Sequence, residues 1–293
     1  MQMLSITIPI TYEGRTVASV LKERFDVSET YLRRLKTRPG SVLLNGEPVY
    51  VVARVNGGDT LAFDPSDGEP FPIRPIPFPL DIVFEDEWLI VVNKPKNLSV
   101  HPARDPNEPT VENALAAYFS GVDNPHPVSR LDKGTTGLLA VAKSGYIHAL
   151  MKRQQADGRY RKKYLAILCG VPESTHFFVE APIGPLNGST YQRTVTGDGT
   201  AAKSECTVLA VRNGLSLCEL VPHTGRTHQL RVHMAYAGFP LLGDWLYGQR
   251  SEASDRPLLH ASELSFSHPV THAPVALSAP VPDDFQICFP SEQ

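Results

Sequence analysis

A chain of 293 residues with 42% hydrophobic and 20% charged side chains can bury a sizeable core, which excludes the disordered class. Its net charge of −3 argues against blanket non-specific nucleic-acid binding, and its longest apolar runs, such as Trp88 to Val92 and Leu138 to Ala142, are too short to span a bilayer. No basic segment precedes an apolar stretch at the N-terminus, so no signal peptide is expected, and Cys169, Cys206, Cys218 and Cys288 are spaced as free thiols of a reducing cytoplasm rather than as a zinc or disulfide framework.

Along the chain, Leu4, Ile6, Ile8 and Ile10 alternate as a strand would. Val17, Val20, Leu21 and Phe25 recur at helical spacing. Ser28 is placed to cap a second short helix whose inner face carries Leu32 and Leu35 and whose outer face carries Arg33, Arg34 and Lys36. Pro39-Gly40 stops that helix. A strand through Val42 to Leu44 then meets Asn45-Gly46, the strongest two-residue hairpin signal, and Gly57-Gly58-Asp59 turns the chain into a strand from Thr60 to Phe63. An Arg-rich second helix followed by "GSVLLNGEPV" and "VNGGDTLAF" resembles the small RNA-binding domain named after ribosomal protein S-four. That resemblance implies that residues 1–64 grip RNA backbone through the helix pair, with Arg33, Arg34 and Lys36 as the contacts.

Residues 65–79 carry proline at nearly every second position, which forbids helix and sheet interior, so a semi-rigid linker is expected there. The remainder, 80–293, reads as a single domain of short strands: Ile82–Phe84, Trp88–Asn93, Leu138–Lys143, Tyr164–Cys169, Cys206–Val211 and Leu215–Val221. Helices are expected near 110–119 and 144–155. Runs of strands with few helices predict an α+β fold with a mostly antiparallel sheet. Two stretches are locally basic, Arg15 to Arg38 with seven basic against three acidic residues and Tyr146 to Tyr164 with six against one. Either alone reads as a solvated helix face; together they suit a polyanion track.

The chemistry concentrates in Arg130-Leu131-Asp132-Lys133-Gly134-Thr135-Thr136-Gly137, a carboxylate on a Gly/Thr-rich loop that leads into a strand. Such an aspartate serves as metal ligand, base or nucleophile, and no second ligand lies in the loop. His223, His228 and His233 recur every five residues, which suits neither a helical nor a strand metal site, and His268 with His272 is a weak metal signal. No metal is expected. Lys133-Gly134-Thr135-Thr136 lacks the glycine and the order of a phosphate loop.

This segment resembles the active-site motif of the RluA family of pseudouridine synthases, and further motifs agree with it in order. They are Asn93-Lys94-Pro95 with Val100-His101-Pro102, Lys162-Lys163-Tyr164-Leu165-Ala166, Thr224 to His233 ("TGRTHQLRVH"), "GFPLLGDWLYG" and "LLHASELSFSHP". The resemblance implies an isomerase that converts uridine in structured RNA, ribosomal or transfer RNA, to pseudouridine without any cofactor. It implies Asp132 as nucleophile, Tyr164 stacked on the flipped uracil, Arg231 paired with Asp132, and Arg130 facing the RNA. Lys162, Thr135 and Arg226 are further candidate substrate contacts, Arg226 being the alternative partner of Asp132 within the same motif. Ser129, where His often precedes Arg-Leu-Asp, and Thr136, where Ser is frequent, depart from the family pattern and bear on substrate choice. A non-catalytic RNA-binding factor and an Asp132-dependent nucleoside or phosphodiester hydrolase are the rival classes. A monomeric protein with RNA as partner, and neither DNA nor membrane, completes the expectation.

Overall fold

The computed structural model describes residues 2–69, 73–102, 105, 107–121 and 123–290; residues 70–72 of the expected linker lie outside the described residues. The N-terminal unit contains β1 (Leu4–Thr7), α1 (Val17–Phe25), α2 (Glu29–Lys36), β2 (Val42–Leu44), β3 (Glu47–Pro48) and β4 (Thr60–Phe63), with the strands in the order β1-β4-β2-β3. The first strand ends at Thr7, short of the expected Ile10. Pro9 brings no N–H to a ladder, and Ile10 sits 77% exposed in a 3-10 turn. Thr16 and Ser28 cap the two helices by accepting from the backbone N–H groups of Ser19 and Tyr31. Asn45 and Gly46 both take positive φ, as a tight hairpin matched to strand twist requires.

A ten-stranded sheet forms the framework of the remaining chain. Its members are β5 (Asp81–Glu85), β6 (Leu89–Lys94), β7 (His126–Pro127), β8 (Thr136–Ala142), β9 (Arg161–Cys169), β10 (His176–Glu180), then, after a separate small pair β11 (Ile183–Pro185) and β12 (Arg193–Val195), β13 (Lys203–Arg212), β14 (Leu215–Pro222), β15 (Leu259–Ser267) and β16 (Pro274–Ser278). The order is β10-β13-β14-β9-β15-β8-β6-β5, with β16 on β15 and β7 on β8. Helices α3 (Val111–Tyr118), α4 (Gly145–Ala156), α5 (Gln229–Tyr236) and α6 (Asp283–Cys288) complete the fold. This is the α+β, mostly antiparallel arrangement that the strand-rich pattern predicts, with one parallel pair, β8 against β15. Strand β8 is buried along its whole length because both of its faces are covered. At the parallel contact Gly137 has φ +103°, and a Cβ there would lie 2.3 Å from the Ala261 carbonyl oxygen, so only glycine lets β15 approach. No described helix is long and apolar enough to cross a membrane.

Packing joins the N-terminal unit to α4. Tyr146, 3% exposed, stacks edge-on against Phe63 and tilted against Tyr31, and its hydroxyl donates to the Phe25 carbonyl at 2.6 Å. Arg153 reaches the Asp26 carbonyl and carboxylate at 2.8 and 3.0 Å. The beginning of the proline-rich segment is pinned rather than loose. Asp67 accepts from the Gly145 N–H at 2.9 Å and from Asn124 at 3.0 Å, and pairs with His126 at 2.7 Å and Arg34 at 3.7 Å. A carboxylate at a helix N-terminus is favoured by the helix dipole, so Asp67 both caps α4 and ties it to α2.

Tyr146→Ala removes a buried aromatic and one hydrogen bond and is expected to cost about 3–5 kcal/mol in urea unfolding, with the chain becoming sensitive to protease near residues 64–69. A second expectation concerns His260, which pairs with Thr136 across the parallel contact at 2.9 Å. Burial disfavours its imidazolium and pulls the ring's pKa down from 6.5 to about 4, against the Ala279 carbonyl, which favours the charge. The unfolded chain therefore takes up a proton below pH 6.5 that the native ring refuses. Stability is then lost as pH falls from about 6.5 to about 4, by about 3 kcal/mol. Urea titrations across that range should show the loss, and His260→Phe should flatten it.

Candidate active site

Asp132 lies in the loop between β7 and β8, where its carbonyl accepts from the Thr135 N–H at 3.0 Å and closes a turn. Its carboxylate is 28% exposed and lines a cleft of about 1350 Å³, the side-chain floor of which is supplied by β9, β14, α5 and the loop before α5. Arg231 Nη1 donates to Asp132 Oδ2 at 3.0 Å. Arg231 stands on α5 and is 7% exposed. Arg226, the other arginine of the motif, does not join Asp132; its Nε donates to the Ala201 carbonyl at 3.0 Å on the cleft rim.

Behind Arg231 stands a second carboxylate. Asp244 is fully buried and takes the other edge of the guanidinium, Nε at 2.7 Å and Nη2 at 2.8 Å, while also accepting from the N–H groups of Leu246 and Tyr247. The result is a carboxylate–guanidinium–carboxylate chain in which Arg231 has its donors divided between a wholly buried acid and a cleft-facing one. Burial works against the charge on Arg231, but Asp244 and then Asp132 outweigh it and hold the guanidinium's pKa above its ordinary value. The ring of Tyr247 lies 5.0 Å beneath the guanidinium carbon. Its hydroxyl is hydrogen-bonded to His228 Nδ1 at 2.7 Å, and His228 Nε2 stands 3.8 Å from Asp132 Oδ2. His228 holds this place with a left-handed φ of 57°, uncommon for a side-chain-bearing residue.

The backbone after Asp132 is held by two buried cations. Lys94, at the end of β6, donates to the carbonyls of Pro95, Leu98 and Lys133 at 3.0, 2.9 and 3.2 Å. Burial lowers its pKa to about 7, with the Asp132 charge pulling the other way. Arg256, 2% exposed and paired with Asp284, donates to the carbonyls of Gly134, Pro257 and Leu259.

Tyr164, on β9, is 5% exposed and faces the cleft with Asp132; burial first, and the Asp132 charge second, push its phenol well above the usual tyrosine range. Lys162 Nζ lies 5.4 Å over the Tyr164 ring. Arg130 is exposed on the cleft, tethered through Nη2 to Thr227 Oγ1 at 2.7 Å. Thr135 is almost wholly buried in the cleft wall. Asp132, Arg231, Tyr164, Lys162, Arg130, Thr135 and Arg226 thus all border one cleft. Arg33 and Lys36 are exposed on α2, while Arg34 is turned partly onto Asp67. The three histidines of the "HTGRTHQLRVH" segment are separated, His223 to Glu205, His228 to Tyr247, and His233 to Ser204 and the Ala181 carbonyl. Sequence reasoning assigned no role to Asp244, Lys94, His228 or Arg256, although "GDWLYG" and "NKP" flagged the first two.

Asp244→Asn leaves Arg231 buried with one charge partner instead of two. It is expected to destabilise the fold by about 3 kcal/mol in denaturant unfolding, where loss of an exposed pair would cost under 1 kcal/mol.

The model of a family described as RNA pseudouridylate synthase matches residues 88–236. The RNA pseudouridine synthase YjbO of Bacillus subtilis (strain 168) is 36% identical over 262 residues, covering 88% of this chain and 93% of its own. Ribosomal large subunit pseudouridine synthase D of Zymomonas mobilis is 38% identical over 234 residues, 74% of either chain. Among solved structures, human RNA pseudouridylate synthase domain containing 1 superposes with a TM-score of 0.58 at 27% identity, covering 72% of this chain and 86% of that one. The chain belongs to the RNA pseudouridylate synthase family and is an RNA pseudouridine synthase.

Proposed function

We propose that the enzyme isomerises specific uridines of structured ribosomal RNA, with Asp132 as the nucleophile acting on a nucleotide flipped into the cleft. The observation that carries this reading is the Asp132 carboxylate, open to the cleft on one side and oriented from the other by a guanidinium that a buried Asp244 holds. Asp132 attacks either the anomeric carbon of the ribose or the pyrimidine ring. The bond from N1 to the anomeric carbon breaks, the uracil rotates, C5 bonds to that carbon, and the bond to Asp132 breaks with its electron pair returning to the carboxylate. The proton on C5 leaves and N1 gains one, so the product has the atoms of the substrate. Neither electrons nor energy need be supplied, and no cofactor is called for.

Tyr164 offers its ring as a stacking surface for the extruded uracil, and its phenol, held neutral by burial, can donate a hydrogen bond there. Arg130, braced by Thr227, faces the RNA where the extruded nucleotide's neighbours must pass. Lys162, Thr135 and Arg226 border the same cleft and serve as substrate contacts. Flipping costs a few kcal/mol and least in loops, so loop uridines are the favoured targets. Residues 1–64 act as an RNA-gripping unit through Arg33, Arg34 and Lys36, and phosphate contacts there offset part of the cost. Ribosomal RNA as the substrate is supported by relatives whose names specify the large ribosomal subunit. The enzyme acts as a monomer in the cytoplasm.

Nucleosides from ribosomal RNA incubated with the protein should contain new pseudouridine, which elutes apart from uridine at equal mass. Asp132→Asn should lower its formation by at least about 10³-fold, the scale on which removing a nucleophile acts, while RNA affinity stays within a few-fold of wild type. Turnover retained by Asp132→Asn would remove Asp132 as nucleophile. Pseudouridine in transfer RNA alone would move the substrate.

A further inference from the structure

One end of the cleft carries positive charge beyond the substrate contact already given to Lys162. Lys152 on α4 and Lys162 at the start of β9 both border it. Lys152 Nζ donates to Gln155 Oε1 at 2.5 Å and to the Val128 carbonyl at 3.5 Å, and Lys162 Nζ donates to Ser129 Oγ at 3.3 Å. These are uncharged oxygens, and among the described residues neither lysine has a carboxylate partner, whereas the adjacent Lys163 is neutralised by Glu219 and Glu263. Burial, and then the charge of Lys162, pulls the Lys152 ammonium's pKa below the usual lysine value; burial lowers that of Lys162 as well, against Tyr160 and Asp132, which favour its charge. Tyr160, 6% exposed, borders the same end of the cleft, and its buried hydroxyl lies by Ser129 without completing a well-formed hydrogen bond among the described residues.

Two like charges held together, and a buried hydroxyl without a partner, are both costs to the free protein. A tetrahedral oxyanion relieves both at once, because it accepts from two ammonium groups and from the hydroxyls of Ser129 and Tyr160. We propose that Lys152, Lys162, Ser129 and Tyr160 form a binding site for one backbone phosphate of the RNA, on a nucleotide flanking the target uridine. The inference rests on the pseudouridine synthase reading, which puts the target at Asp132. Ser129 is three residues from Asp132, at most about 11 Å along an extended chain, so a phosphate held there belongs to a near neighbour of the flipped nucleotide. Ser129 is also where this chain departs from the commonest family pattern, replacing an imidazole with a small hydroxyl.

The test uses the full-length protein and an RNA stem-loop on which it forms pseudouridine. Lys152→Gln should raise KM about tenfold with kcat within twofold, the loss of one charge-assisted contact. The slope of log affinity against log salt, read by fluorescence anisotropy, should become shallower by about 0.7. Neutral methylphosphonate linkages placed singly around the target should reproduce that penalty at one position in wild type and add nothing there in Lys152→Gln. Tyr160→Phe should raise KM about threefold while the Tm of the free protein is unchanged or higher, since the deleted hydroxyl had no partner. An unchanged KM and salt slope in Lys152→Gln, or equal methylphosphonate penalties in variant and wild type at every linkage, would overturn the proposal. So would competitive inhibition by inorganic phosphate that Lys152→Gln abolishes, if no methylphosphonate has any effect, because the site would then hold a free anion. Wild type that forms no pseudouridine in any RNA defeats the preceding reading instead, and the salt slope still decides whether this site holds RNA.

Discussion

The guanidinium of Arg231, shared between two carboxylates, is the interaction on which the rest of the site depends. A lone arginine this deeply buried would be costly, and a lone aspartate facing a wet cleft would be free to turn. Asp244 meets the first problem by taking one edge of the guanidinium from a fully buried position, with the Leu246 and Tyr247 amides fixing its own oxygens. The remaining Nη1 then has one direction to point, and Asp132 lies along it. Orientation of the Asp132 carboxylate is thus inherited from a buried ion pair rather than from the exposed loop that carries it.

That loop is fastened by cations used as hydrogen-bond donors to backbone. Lys94 gathers the carbonyls of Pro95, Leu98 and Lys133, and Arg256 gathers those of Gly134, Pro257 and Leu259. Backbone oxygens in a buried turn must find donors, and a single ammonium or guanidinium serves three where amides would serve one each. Arg256 reaches the first carbonyl of β15, whose parallel approach to β8 requires the glycine at position 137, and Lys94 lies opposite that glycine on β6. The chain that supplies the chemistry and the chain that buries it are therefore tied at one point of the sheet.

Helix α4 links this machinery to the N-terminal unit. Its N-terminus is capped by Asp67, its first turn delivers Tyr146 into the aromatic cluster of Phe25, Tyr31 and Phe63, and its far side delivers Lys152 to the cleft. One rigid element thus faces the RNA-gripping candidate helix α2 and the reaction cleft at once. In such an arrangement the spacing between α2 and the cleft is set by packed side chains and not by a tether.

Periodicity and punctuation in the sequence were enough to determine the helices around Val17 and Leu32, the Asn45-Gly46 hairpin, the strand-rich α+β character and the loop bearing Asp132, because these are local consequences of side-chain spacing, caps and turn residues. Motif order identified Asp132, Tyr164 and Arg231 as members of one site. What spacing could not decide was which arginine of "TGRTHQLRVH" reaches Asp132, since Arg226 and Arg231 lie in the same motif and only the placement of α5 against the loop separates them. Nor could it assign Asp244, 112 positions from Asp132, or Lys94 and Arg256, whose partners are carbonyl oxygens that every residue possesses. Proline spacing describes the segment from 65 to 79 as extended, yet Asp67 is anchored, because its partners Gly145 and His126 come from elements far along the chain. Local structure follows from neighbours in sequence; the charge pairs that orient a reactive group are long-range and exist only once the sheet has brought distant strands together.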